Sequence, residues 1–121
     1  MSGTKRDRDL ASEAFRRWAR AGRPETVQIR QDGSDTARDF SACAAVFDAL
    51  KREETWGREN SPAREIRRAV EEVYMIDPEK RIRKNVITMR VRRFASERYV
   101  SERLVYIWLA RARKMWWEFH G

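Results

Sequence analysis

One cysteine and one histidine stand in a chain of 121 residues. Cys43 therefore has no disulfide partner, and with His120 as the lone imidazole neither a thiolate zinc site nor a histidine-centred triad can be assembled. Glycine (five) and proline (three) are scarce as well, and no Gly-rich phosphate loop is present. No run of 18 apolar residues occurs, so no membrane-spanning helix is expected. The opening MSGTKRDRDL lacks the apolar stretch of a secretory signal, and a cytoplasmic protein is expected. Carboxylate pairs for acid–base chemistry are also missing. Asp7 and Asp9 fall on different faces of a helix, and the neighbours Glu71 and Glu72 diverge. These absences remove most enzyme chemistries, and neither a metal nor a cofactor is expected.

Leucine, isoleucine, valine and phenylalanine together make only 23 residues, and the formal charge is +8, a pairing that borders on the disordered class. Five tryptophans, three tyrosines and four methionines offset this shortage. Aromatic side chains bury large areas, so a lean helical core can form, whereas a sheet would need more β-branched residues. The expected fold is all-α, a small bundle of four to five helices.

The charge is uneven. Residues 80–121 carry twelve lysines and arginines against three acids, while residues 1–79 carry fifteen against sixteen. A clustered positive field attracts a polyanion, and nucleic acid is the first candidate partner.

Leu10, Ala14, Phe15 and Trp18 share one face of a helix over 8–21, ended by Gly22 and Pro24. Val27 and Ile29 suggest a brief extended arm, followed by a linker at 31–38, so residues 1–38 read as an N-terminal helix with its linker. Phe40, Cys43, Phe47 and Leu50 step by 3, 4 and 3, the seam of a helix from Asp39 to about Thr55, with Cys43 a small core residue. This seam and the lean core suit a homodimer. Ser61 and Pro62 open the next helix as N-cap and first helical residue. It runs to about Met75 with Ile66, Val70, Val73 and Tyr74 inward. A basic loop, DPEKRIRKN, then leads to Asn85, a candidate cap for a helix with Ile87, Val91, Phe94 and Ala95 inside.

Ser101 caps a long final helix. At 100° per residue, Val105, Trp108, Leu109, Ala112, Met115, Trp116 and Phe119 fall within an arc of roughly 120°, the expected core face. Outside it lie Glu102, Arg103, Tyr106, Ile107, Ala110, Arg113, Lys114 and Trp117. The spacings of residues 94–108 fit a helix-turn-helix, with small Ala95 at the crossing and Val100, Val105 and Trp108 locking the two helices. Tyr99 occupies the turn position where glycine is usual, and must either become left-handed or shift the turn. Arg98 stands where an apolar residue is usual, and fits only with its stem buried and its head in water.

The run VRRFASERYVSERLVYIWLARARKMWWEF resembles the C-terminal signature of phage and prophage transcriptional regulators of the RinA and ArpU type, themselves similar to sigma-factor region 4. The upstream AVEEVY helix, basic loop and ITMRV are similar to that group as well. The resemblance covers 39–121, and implies a helical DNA-binding domain whose helix-turn-helix spans 85–119, a double-stranded DNA partner and a role at phage late genes in a bacterial host. It also implies that Ser101, Glu102, Arg103, Tyr106 and Ile107 begin the recognition helix.

From the residues alone, Arg103 suits a two-bond contact with guanine, Tyr106 and Ile107 suit thymine methyls, and Glu102 suits either cytosine N4 or the helix dipole. Ser101 caps the helix and can also donate to a phosphate. Lys80, Arg81, Arg83, Lys84, Arg90, Arg93, Arg111, Arg113 and Lys114 are the expected phosphate contacts. Two alternatives share these features. One is a ring-forming small terminase subunit that packages DNA; the other is an interaction module docking on RNA polymerase, for which Trp117, off the core arc, is the expected docking residue.

Overall fold

In the computed structural model, residues 5–25, 35–80 and 85–121 are described, and among them the secondary structure is all-helical with no strand. Helix α1 spans Lys5–Arg20, α2 Asp35–Trp56 and α3 Ala63–Val70, the last continuing as a π-helical segment, Glu71–Met75. Helices α4, Val86–Arg98, and α5, Glu102–His120, complete the chain. No described helix is long and apolar enough to cross a membrane.

One core joins all five helices. Phe15 lies 6.1 Å from Phe47 and stacks on Tyr74 at 6.5 Å, and Trp18 lies 5.1 Å from Phe47, centroid to centroid. The α1 side chains thus fill the space between α2 and the π-helical segment. Helix α1 belongs to this core, and Asp39 lies inside α2. Helix α2 begins at Asp35, an acid in its first turn, so part of the expected linker is helical. The expected arm at Val27 and Ile29, and linker residues 31–34, lie outside the described residues.

Cys43, Phe47 and Leu50 are buried as the periodicity requires, but Phe40 is only partly so. Burial pushes the Cys43 thiol far above its ordinary pKa, consistent with an inert core residue. Leu10 is 46 % exposed, because the inward face of α1 centres on Ala11, Ala14, Phe15 and Trp18 and leaves Leu10 at its edge. Phe119 is 51 % exposed: the last buried residue of α5 is Trp116, one turn earlier. Ser61 Oγ accepts from the Ala63 amide at 3.3 Å, with Pro62 between them. Asn85 precedes α4 without a side-chain cap bond. Ile66, Val70, Val73 and Tyr74 are all buried, and so are Val91, Phe94 and Ala95; Ile87 is partly buried.

Candidate nucleic-acid interface

The junction between α4 and α5 is three residues long, and each has a definite task. The Val100 amide donates to the Ala95 carbonyl at 3.0 Å and the Tyr99 amide to Ser96 at 3.3 Å. This is the paired bonding of a Schellman motif, which satisfies carbonyls that the end of α4 would otherwise leave open. It requires a left-handed residue, and Tyr99 supplies it at φ 55° and ψ 41°. Of the two expected outcomes for Tyr99, the chain takes the left-handed one. Val100 then packs partly against the core. Ser101 is extended, and its hydroxyl accepts from the Leu104 amide at 3.1 Å, capping α5.

Helix α5 is anchored by Val105, Trp108, Leu109, Ala112 and Trp116, all buried. The Trp108 and Phe94 rings pack nearly perpendicular, 6.4 Å apart centroid to centroid, joining α5 to α4. On the opposite side Arg103, Ile107, Ala110 and Lys114 are exposed at i, i+4, i+7 and i+11, a continuous stripe along the helix, with Tyr106 exposed beside it. Among the described residues neither Arg103 nor Lys114 has a carboxylate partner. Glu102 is exposed, and its carboxylate lies 3.5 Å from Arg92 Nε on α4, so it ties the two helices across the turn.

The expected phosphate contacts divide into four groups. Lys80, Arg111 and Lys114 are exposed, the latter two bordering a cleft of about 940 Å³ whose floor includes Leu50 and Ile66. Arg93 is exposed and lies 3.9 Å from Glu97 one turn along α4. Arg90 and Arg113 are turned inward, contrary to expectation. Arg90 Nη1 donates to the Val73 carbonyl at 2.9 Å, an acceptor left open where the π-helical segment ends, and Arg113 donates to the Tyr74 hydroxyl. Partial burial lowers the Arg90 pKa from its ordinary value, although arginine stays charged at neutral pH. Arg81, Arg83 and Lys84 lie outside the described residues.

Arg98 is bound more firmly than its sequence position suggests. Its guanidinium sits 4.9 Å from the Phe94 centroid, and Nη1 donates to both Glu65 oxygens at 3.0 and 3.1 Å. Trp117, expected on the outside, is partly buried against the core, its ring nearly perpendicular to that of Trp116 at 4.9 Å between centroids. Sequence reasoning missed Arg92 as a surface group. It belongs with Met89, Arg93 and Ser96 to an exposed face of α4, and the i, i+3, i+4, i+7 spacing was the available signal. The Arg92–Glu102 tie carried none, since ten residues correspond to no helical repeat and only the turn brings them together.

No protein-family model matches the chain, and no match to it was found among curated proteins or solved structures.

Proposed function

We propose that this chain is a sequence-specific DNA-binding regulator of the phage and prophage type, acting in a bacterial cytoplasm and reading the major groove with the first turns of α5. The supporting observation is the geometry at Ser101: a capped helix start after a three-residue turn, with Arg103, Tyr106 and Ile107 exposed while Val105, Trp108 and Leu109 hold the helix from behind. A helix of this width enters the major groove, where base edges present distinguishable donors and acceptors. Arg103, free of any carboxylate among the described residues, is the base-reading arginine, with Tyr106 and Ile107 beside it for thymine methyls. Glu102 faces Arg92 across the turn rather than a base. Arg92, Arg93, Lys80, Arg111 and Lys114 supply the backbone charge; Arg90 and Arg113 hold the fold.

The test is duplex binding measured by fluorescence anisotropy, on DNA selected from a random library by the protein itself. Arg103→Ala is expected to lose roughly 1 to 3 kcal/mol of discrimination at one base pair, and Lys114→Ala to weaken all duplexes alike. Failure of the unaltered protein to bind any duplex at 50 mM salt would instead favour an interaction module.

A further inference from the structure

Three residues other than glycine adopt positive φ among the described residues: Arg23, Asp77 and Tyr99. The first two have evident reasons. Arg23 lays its guanidinium 5.9 Å from Trp18 and 5.4 Å from Phe47 and pairs with Glu71 at 3.0 Å, so internal contacts offset its strain. Aspartate is among the few residue types that tolerate the left-handed region. Tyr99 has neither reason. Its side chain is 96 % exposed, makes no hydrogen bond or ring contact among the described residues, and places a large apolar ring in water.

The same chain shows what the position requires of the backbone alone. Helix α1 ends in an identical bonding pattern, with Arg23 donating to Trp18 and Gly22 to Ala19, and there the left-handed residue is Gly22 at φ 86°. Glycine would serve the turn of α4 equally well and with less strain. A strained residue with no internal contact is a candidate for function. Tyr99 stands two residues before the cap of α5, at the helix end that the proposed DNA complex turns toward the duplex.

We infer that Tyr99 is a DNA-backbone contact: its phenol hydroxyl donates to a phosphodiester oxygen flanking the groove that α5 enters, and its ring covers the adjoining sugar. This inference rests on the DNA-binding reading above. A phosphodiester fits the chemistry because a neutral O–H donor to an anionic oxygen makes a short, strong bond without adding charge. Such a contact positions α5 without reading sequence.

The test pairs Tyr99→Gly with Tyr99→Phe, both measured for thermal unfolding and for binding to selected and random duplexes. Tyr99→Gly is expected to unfold at higher temperature, because the strain is relieved, and yet to bind both duplexes about tenfold more weakly. Tyr99→Phe is expected to keep the unaltered unfolding temperature and to lose part of that affinity. Undiminished affinity in Tyr99→Gly, with the unaltered chain binding normally, overturns the contact and leaves the DNA-binding reading standing. A loss confined to the selected duplex also overturns it, since that marks base reading. If the unaltered chain binds no duplex, both fall together.

Discussion

Arg90 and Arg103 are the same residue type in the same basic segment, and their surroundings give them opposite uses. Arg90 is partly buried and satisfies the Val73 carbonyl, a buried residue's backbone acceptor at the end of a helical segment. Removing a donor there leaves the acceptor unpaired, so Arg90→Leu is expected to lower stability by about 1 to 3 kcal/mol, read from urea unfolding. Its DNA affinity, measured where the variant is still folded, should keep the unaltered salt dependence. Arg103 is exposed with no carboxylate beside it among the described residues, so Arg103→Ala should leave the unfolding midpoint in place while changing duplex preference. Ser101→Ala belongs with Arg90: loss of the hydroxyl that accepts from Leu104 should weaken the fold by roughly 1 kcal/mol. If Arg90→Leu flattened the salt dependence and left stability intact, the inward assignment of Arg90 would be wrong.

Helix pairs are held together by ion pairs whose partners are far apart in sequence. Arg67 on α3 donates to both oxygens of Glu54 on α2, at 2.6 and 2.9 Å. The Arg67 guanidinium holds the Glu54 carboxyl below the usual glutamate range, chiefly through these hydrogen bonds. A folded-state pKa below the unfolded one adds stability that is present above the ordinary carboxylate range and is lost as pH falls through the folded value. Glu54→Gln should therefore be less stable than the unaltered chain at pH 7, with the difference shrinking as pH falls below about 4.3; a constant gap from pH 7 to 3 would count against this role. Asp39 makes a comparable junction, binding Arg17 of α1 at 3.0 Å and His120 of α5 at 2.8 Å, while its carbonyl accepts from Trp116. Periodicity made the helices legible, because stripes such as Cys43, Phe47 and Leu50 or Val105, Leu109 and Ala112 recur at helical spacing whatever they pack against. It could not show which helix each stripe meets. Hence the apolar face of α1 was legible but not that Phe15 and Trp18 fill the space beside Phe47, and Arg90 and Arg113 read as surface cations although acceptors on another element draw them in. The exposed stripe of Arg103, Ile107 and Lys114 was legible for the opposite reason: its position follows from one helix and its cap alone.

The division of charge along the chain becomes a division of tasks once the internal partners are known. Of the twelve basic residues in 80–121, Arg90, Arg98 and Arg113 are engaged with the fold through Val73, Glu65 and Tyr74. Arg92 and Arg93 sit in exposed pairs with Glu102 and Glu97 at 3.5 and 3.9 Å, and water and salt screen such pairs enough for a phosphate to displace the acid. Lys80, Arg103, Arg111 and Lys114 are exposed without a carboxylate partner among the described residues. With these groups and part of the 81–84 segment, about six phosphates can be neutralised. Counterion release then sets the salt dependence, and affinity for random duplex should fall about a thousandfold between 50 and 200 mM salt. Arg92→Ala combined with Lys114→Ala should reduce the logarithmic slope by about 1.8, because each lost phosphate contact removes about 0.9. Arg98→Ala should leave that slope unchanged while lowering stability, since its charge is spent on Glu65 and the Phe94 ring. Affinity that stays level across this salt range would mean that the basic third of the molecule does not meet a polyanion, and the bound surface would have to be sought elsewhere on the bundle.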